Sequence, residues 1–196
     1  MPFDDHRRAV IEEARREFHD KFPLMRHATG TCLFWAWCAV AAVNRITNQR
    51  AILQAGTCYW PRMPKAKAAK TQDIYLFGYE WKWDDLAREK VRDGCLPEMH
   101  VWAAVPEEKL IIDMASGMFP AQCKKLLGRE WESKKPPDCF WRRSYDKVWP
   151  EDVVYKPDVQ ACLTAHLFIR GIIEQGGVDL VTALESQRGA NQSRGA

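Results

Sequence analysis

Residues 30–44 read GTCLFWAWCAVAAVN and contain the longest apolar run of the sequence. Its side chains are apolar on nearly every face, so the pattern predicts a helix buried on all sides. Thr29, Gly30 and Thr31 suit a turn followed by a helix N-cap, which places Cys32 in the first turn. Unpaired backbone N–H groups and the positive end of the helix dipole meet there. The position therefore predicts a Cys32 thiol with a lowered pKa.

A histidine and an aspartate follow later in the chain, in a predicted β-hairpin. Residues 97–105 have the character of a short strand and contain His100, and residues 110–114 form a second strand that contains Asp113. If residues 106–109 form the turn, the two side chains lie near the same end of paired strands. An aspartate within an apolar strand needs a partner, and His100 is its natural partner. A cysteine nucleophile, a histidine base and an orienting aspartate make a catalytic triad.

These three pieces of sequence resemble a known group of enzymes. Gly-Thr-Cys at the start of a buried helix, His-Val-Trp-Ala-Ala-Val on one strand and Ile-Ile-Asp on the next resemble the transglutaminase-like branch of the papain-like cysteine enzymes. The similarity runs from residue 28 to residue 115, somewhat under half of the chain. It implies Cys32 as nucleophile, His100 as base and Asp113 as orienting residue. It also implies an α+β fold with a papain-like (transglutaminase-like) core, in which the helix carrying the nucleophile packs on an antiparallel sheet.

The sequence departs from papain itself in the donor that would stabilise an oxyanion. Papain-like enzymes often have a glutamine upstream of the cysteine for this purpose, but no glutamine lies between Met1 and Cys32. An oxyanion hole would therefore need the Cys32 backbone N–H and one further donor. Gln54 is a candidate for that donor, although an ordinary strand glutamine is the simpler interpretation.

The predicted chemistry is acyl transfer. His100 takes the proton of Cys32, the thiolate attacks a carbonyl carbon, and water or an amine then resolves the acyl-enzyme. We expect a cysteine peptidase or amidase acting on a peptide, protein or amide, because water needs no second substrate pocket. An acyl transferase that uses an amine is the alternative with the same chemistry. Two other hypotheses are a non-catalytic module of the same fold that binds a protein or peptide, and a metal site made of His100, Asp113 and a cysteine.

The chain contains nine tryptophans, which is a high count. Most of them are expected to supply aromatic volume to the core. Trp60 and Trp102 are the two candidates for an aromatic wall of a substrate-binding cleft.

Composition excludes several other classes of function. The net charge is only +3 and the basic residues are interspersed with acidic ones, so no nucleic-acid partner is expected. No export signal is evident and the longest apolar run is too short to span a bilayer, so we expect a cytoplasmic protein without a membrane partner. The seven cysteines include no Cys-x-x-Cys pair, which argues against structural zinc. Their odd number, with no export signal, argues against a disulfide framework. No nucleotide-binding motif is present, and no metal or cofactor is expected.

We expect a single domain over residues 1–185 and a disordered tail at 186–196. Helices are predicted at residues 4–22, 119–127, 158–170 and 178–185, and strands also at 51–60, 73–81, 139–143 and 152–155. Residues 84–92 predict a short helix or a loop, and the Pro-, Ala- and Lys-rich residues 61–71 predict a basic surface loop. The expected apolar side of the helix at 158–170 consists of Val159, Cys162, Leu163, His166 and Leu167.

Overall fold

Six strands form one curled antiparallel sheet within residues 3–25, 31–144 and 150–174, which are the residues that the computed structural model describes. The strands are β1 (Ile52–Pro61), β2 (Leu76–Tyr79), β3 (His100–Val105), β4 (Leu110–Asp113), β5 (Phe140–Arg143) and β6 (Val154–Pro157). Their order is β2-β1-β3-β4-β5, and β6 also pairs with β1. With 50% of these residues helical and 20% in strands, the chain is a mixed helix-and-sheet protein.

β1 is the strand on which the rest of the sheet converges. It is 10 residues long, which allows it to pair with β3 along residues 52–56, with β6 along 56–59 and with β2 along 58–61. Gly56 pairs with both β3 and β6, and a Cβ atom on this residue would lie 2.3 Å from the carbonyl oxygen of Lys156. Gly56 therefore allows the close approach of the β6 backbone to β1.

Six α-helices accompany the sheet in the described part of the chain. They are α1 (Arg7–Lys21), α2 (Cys32–Ile46), α3 (Lys65–Thr71), α4 (Asp85–Arg92), α5 (Phe119–Leu127) and α6 (Val159–Glu174). The apolar helix α2 packs against both α1 and β3. Ala39 and Ala42 are completely buried, and their small side chains let the neighbouring elements approach closely. The predicted buried helix thus lies between α1 and the sheet.

The charged helix α1 covers α2 with a narrow apolar face. Val10, Ala14 and Phe18 occur at four-residue intervals and are completely buried, so they form the apolar face of this helix. The ring of Phe18 stacks on that of Trp35 in α2, with centroids 3.7 Å apart and an interplanar angle of 5°. This contact fixes α1 on the outer side of the helix that begins at Cys32.

The predicted hairpin between β3 and β4 is confirmed. The two strands pair antiparallel, with Ala103 opposite Ile112 and Val105 opposite Leu110. A 3₁₀ turn at Pro106–Glu108 connects them. Lys109 completes the turn in the left-handed conformation, with φ of 49°. Every residue of β3 is buried, so the hairpin belongs to the core.

The prediction of a loop at residues 61–71 is wrong, because residues 65–71 form α3. The Arg62 side chain is 1% exposed and anchors this region. Its guanidinium donates hydrogen bonds to the carbonyl oxygens of Ile74 and Glu130 and forms a 2.8 Å ion pair with Asp73. Composition alone favours a loop, whereas the buried Arg62 guanidinium orders the segment through its bonds to Asp73, Ile74 and Glu130.

The predicted apolar side of α6 is also wrong for its largest side chains. Val159, Leu163 and Leu167 are exposed, with 78%, 52% and 68% of their surface accessible. The buried side of α6 contains Ala161 and Ala165 instead, because the helix packs closely on β1. At this interface the Cys162 Sγ atom accepts the backbone N–H of Ala55, 3.2 Å away. The short distance between α6 and β1 leaves room only for small side chains on this face.

Several predictions fall outside the described residues. These are the turn at Thr29 and Gly30, the helix at 178–185 and the tail at 186–196. Within the described residues, no helix combines the length and the apolar character needed to cross a bilayer.

Candidate active site

Cys32 is the first residue of α2, which confirms its predicted place in the first turn of a buried helix. The carbonyl oxygen of Thr31, the N-cap residue, accepts the backbone N–H groups of Phe34 and Trp35, each 3.1 Å away. Cys32 itself is 8% exposed. The first turn places backbone N–H groups and the positive end of the helix dipole beside this residue. These groups favour negative charge at this end of α2.

His100 and Asp113 meet at one end of the β3–β4 hairpin. His100 begins β3 and Asp113 ends β4, so the antiparallel pairing brings them together. The Nε2 atom of His100 lies 2.7 Å from Oδ2 of Asp113. The two side chains are 2% and 1% exposed. The structure therefore joins the histidine and the aspartate that the sequence predicted as partners.

The Asp113 carboxylate has three hydrogen-bond partners, and they indicate which ring nitrogen of His100 carries a hydrogen. Oδ1 accepts the backbone N–H of Ala115 at 2.8 Å, and Oδ2 accepts the hydroxyl of Tyr155 at 2.6 Å as well as contacting His100. An ionised carboxylate can only accept hydrogen bonds, so each of these partners donates to it. Nε2 of His100 must then carry a hydrogen, and Nδ1 is the ring nitrogen that can exchange a proton with another group.

Cys32 lies beside the imidazole of His100. Asp113 is the hydrogen-bond partner of Nε2. The Nδ1 atom is buried and makes no hydrogen bond to a nitrogen or oxygen atom in the described part of the chain. The Cys32 side chain contributes to the pKa of His100 both by hydrogen bonding and by its charge. The cysteine, the histidine and the aspartate thus form one cluster, although they come from α2, β3 and β4.

The pKa of His100 is raised to about 10. Burial alone would lower this pKa, because it disfavours the charged imidazolium. The negative charge of Asp113 and its hydrogen bond outweigh the burial, and Cys32 acts in the same direction. The site therefore stabilises a protonated imidazole between two groups that can carry negative charge.

Aromatic rings surround the imidazole. The Tyr79 ring stacks parallel to it at 5.9 Å with an angle of 6°, and the centroids of Phe119 and Trp102 lie 5.1 and 6.1 Å away. The Tyr79 hydroxyl donates to Oε1 of Gln122 at 2.5 Å. Burial raises the pKa of Tyr79, and the nearby Cys32 raises it further. Tyr79 is therefore a neutral neighbour of the cluster at physiological pH.

Trp60 and Trp102, the predicted substrate-binding residues, lie next to the cluster but are 5% and 0% exposed. The indole of Trp102 donates to Oε1 of Gln54 at 3.1 Å, and that of Trp60 donates to the Tyr155 hydroxyl at 3.3 Å. In this arrangement the two rings support the cluster and offer a substrate almost no free surface. Their assignment to substrate binding stays a prediction. The Oε1 atom of Gln54, the candidate oxyanion donor, accepts the hydrogen bond from Trp102.

Sequence reasoning missed the two tyrosines that contact the pair. Tyr79 lies on β2 and Tyr155 on β6, and each pairs with Cys58 on β1 from a different strand. Neither tyrosine belongs to a motif with Cys32. Only the pairing of β1 with both strands brings them to the site, and no local pattern in the sequence indicates that pairing.

The seven cysteines are all free thiols, and their environments differ. Burial raises the pKa of Cys38 and Cys139 to about 12. Cys58 lies near the site, and burial raises its pKa well above the ordinary value, with a further contribution from Asp113. These three thiols are therefore poor nucleophiles near neutral pH.

Across residues 3–25, 31–144 and 150–174, no group of three or more histidine, cysteine, aspartate or glutamate side chains is arranged to hold a metal ion. Searches of protein-family models, of curated proteins and of solved structures found no match to this chain.

Proposed function

We propose that this protein is a cysteine-dependent acyl-transfer enzyme, acting as a peptidase or amidase through Cys32, His100 and Asp113. The observation that carries the proposal is the buried 2.7 Å contact between His100 and Asp113, with Cys32 next to the imidazole at a helix N-terminus. A nucleophile, a base and an orienting group are thereby within one small cluster.

In the proposed mechanism, Cys32 and His100 react as a thiolate and an imidazolium, because the raised pKa of His100 keeps a proton on Nδ1 near neutral pH. The Sγ atom then attacks the substrate carbonyl carbon and forms a tetrahedral intermediate, whose oxyanion is stabilised by backbone N–H groups at the start of α2. As the intermediate collapses, the imidazolium protonates the leaving amine, the C–N bond breaks and a thioester remains. His100 then deprotonates a water molecule that attacks the thioester, which releases the acid and restores the thiolate of Cys32 and the imidazolium of His100.

Asp113 has a defined role in this scheme. Its carboxylate holds the hydrogen on Nε2 of His100, so that Nδ1 is the nitrogen that exchanges its proton with the reacting groups. The same carboxylate stabilises the imidazolium that forms after proton transfer, in line with the raised pKa of His100. The hydrogen bonds from Ala115 and Tyr155 keep the carboxylate in place.

We further propose that the fold is a papain-like core of the transglutaminase-like kind. The supporting observations are that α2 carries the cysteine at its first residue and packs against β3, and that His100 and Asp113 occupy neighbouring antiparallel strands. The substrate class is then a peptide, a protein or another amide. Water as the final acceptor makes the enzyme a hydrolase, and an amine in its place would make it a transferase.

Acyl-enzyme trapping tests the proposal. The protein is mixed with p-nitrophenyl acetate at pH 7, and its intact mass and proteolytic peptides are measured over time. The proposal predicts one acetyl group on Cys32, formed in a burst and lost on standing. His100→Ala should slow the burst by more than about 100-fold, because general-base catalysis is removed. His166→Ala, which changes an exposed histidine on α6, is the matched control and should leave the burst unchanged.

Two outcomes would count against the enzyme. Acetylation spread over several lysines and cysteines, or a Cys32 burst that does not depend on His100, would indicate incidental surface chemistry. The non-catalytic binding module would then be the better hypothesis. Release of an amide product when a primary amine is added would instead assign the protein to the acyl transferases.

A further inference from the structure

We infer that Tyr155 is a positioning residue of this site, whose hydroxyl holds the Asp113 carboxylate and sets the pH range in which His100 accepts a proton. The inference deepens the proposed function and rests on it for its role in catalysis. The Tyr155 hydroxyl lies 2.6 Å from Oδ2 of Asp113, the oxygen that also contacts Nε2 of His100. The hydroxyl and the imidazole therefore share one acceptor atom.

The direction of the hydrogen bond from Tyr155 is determined by its neighbour. The indole Nε1 of Trp60 lies 3.3 Å from the Tyr155 hydroxyl, and an indole N–H can only donate. The tyrosine oxygen thus accepts from Trp60, and its own hydrogen is available for Asp113. Because a carboxylate oxygen is an obligate acceptor when ionised, the bond runs from Tyr155 to Asp113.

Packing holds the Tyr155 ring in this position. Its ring stacks on Phe140 at 5.2 Å with an angle of 5°, and Trp102 contacts it edge-on at 5.2 Å. Tyr155 lies on β6, whose pairing with β1 places it opposite Cys58. The hydroxyl is therefore presented from a paired strand between aromatic rings, and not from a surface loop. A site on such an element keeps its geometry well.

The shared acceptor has a chemical consequence for the histidine. A hydrogen bond from Tyr155 stabilises the negative charge on Oδ2 and so weakens the attraction of Asp113 for the proton on His100. Without that bond the imidazolium becomes more stable, and Cys32 transfers its proton at a lower pH. The same imidazolium becomes a weaker acid toward the leaving amine. Tyr155 thus balances the two proton transfers of the reaction.

Other titratable groups also face the pair and have to be considered. They are Cys32 from α2, Cys58 from β1, Tyr79 from β2 and Cys139, which precedes β5. Burial raises the pKa of Cys58, Tyr79 and Cys139, so these three stay neutral between pH 5 and 9. A change in the alkylation rate of Cys32 between pH 5 and 9 therefore cannot come from these three groups.

Tyr155→Phe tests the inference, because it removes the hydroxyl and keeps the stacked ring. Tyr75→Phe is the matched control, since the Tyr75 hydroxyl also donates to a carboxylate, that of Asp152, outside the cluster. The imidazole resonances of His100 are titrated by nuclear magnetic resonance in a Cys32→Ala background. Tyr155→Phe should raise the titration midpoint by about one pH unit. Tyr75→Phe should leave it unchanged, and an unchanged midpoint with Tyr155→Phe overturns the inference.

A second variant separates the hydrogen bond from packing. Incorporation of 3-fluorotyrosine at position 155 keeps the ring and makes the hydroxyl a stronger donor, so the midpoint should fall where Tyr155→Phe raises it. A packing effect would move both variants in the same direction, which would contradict the inference. Should Tyr155→Phe fail to fold, the fluorotyrosine variant alone decides, because an unchanged or raised midpoint overturns the inference.

The failure of this inference is distinguishable from failure of the proposed function. In the protein that keeps Cys32, the alkylation rate of this thiol as a function of pH should shift to lower pH by about the same amount in Tyr155→Phe. If Cys32 shows no histidine-dependent reactivity, the proposed function fails, whereas the titration in the Cys32→Ala background still reports on Tyr155. If the thiol is reactive but neither midpoint moves, only the role of Tyr155 is lost.

Discussion

His100 Nε2 lies 2.7 Å from Asp113 Oδ2, and both side chains are almost completely buried. A charged or strongly polar pair in such a place must have its hydrogen bonds satisfied. Asp113 meets that requirement with donors from Ala115 and Tyr155, whereas Nδ1 of His100 faces the side of the cluster that holds Cys32. The asymmetry of the two ring nitrogens is what makes the pair suited to proton transfer.

Asp113→Asn should impair the site while preserving its shape. An amide can donate to Nε2 and so favours the tautomer in which Nδ1 carries the hydrogen, which removes the base that faces Cys32. We expect the acetylation burst to slow by about 1,000-fold or more. The burst rate in stopped-flow assays measures this effect. Asp152→Asn, at the other tyrosine-paired aspartate, is the control and should retain the wild-type rate.

Cys32→Ser and Cys58→Ser should behave in opposite ways, although the two thiols lie near one another. Cys32→Ser should abolish acetyl transfer to residue 32 at pH 7. Cys58→Ser should leave that transfer within about threefold of wild type, because the burial that raises the pKa of Cys58 makes it a spectator. Peptide mass mapping after the ester pulse measures both effects. An acetyl group on Cys58 in the wild-type protein would contradict the assignment of the nucleophile.

The raised pKa of His100 predicts a specific dependence of stability on pH. The folded protein binds the imidazole proton more tightly than the unfolded chain, whose histidine has a pKa of about 6.5. This contribution to the unfolding free energy is complete below about pH 6.5 and is lost as the pH rises toward about 10, the pKa in the folded state. Urea unfolding at several pH values should therefore show a decline over this window. In His100→Gln the decline should be smaller, and equal slopes would argue against the ion pair.

Phe18→Ala should destabilise the fold by weakening the packing of α1 on α2. The ring is completely buried and stacks on Trp35 at 3.7 Å, so its removal leaves a cavity between α1 and α2. We expect a loss of about 3–5 kcal/mol in the unfolding free energy. Leu126→Ala, at a residue that is 61% exposed, should cost less than about 0.5 kcal/mol. Chemical denaturation of both variants measures the difference, and similar losses would contradict the α1–α2 packing.

The parts of the fold that the sequence predicts well are those with a strong local pattern. The apolar run at residues 32–46 is continuous, and the hairpin at residues 100–113 contains its own turn. Both elements can therefore be predicted without knowledge of the rest of the chain. Cys32, His100 and Asp113 are predictable from the sequence because they lie at the ends of these elements. The family resemblance predicts that the three residues lie close together. The hairpin by itself explains the proximity of His100 and Asp113.

The parts that sequence reasoning missed depend on contacts between distant segments. Two alternative faces of α6 repeat every four residues, one with Val159, Leu163 and Leu167 and the other with Ala161 and Ala165. Hydrophobicity favours the first face, but the short distance to β1 selects the alanines. Tyr155 reaches the site in the same way, through the pairing of β6 with β1, and a single sequence carries no signal for such a pairing.

The measurement that tests the central claim most directly is the rate of Cys32 alkylation by iodoacetamide between pH 5 and 9, followed peptide by peptide. Wild type and His100→Ala are compared, and Cys38 and Cys139, whose pKa values are raised to about 12, serve as internal references. We predict that Cys32 reacts much faster than the other six cysteines near pH 6, and that His100→Ala removes this reactivity. A Cys32 that is inert, or that titrates near pH 8.5 with or without His100, would contradict the proposed triad.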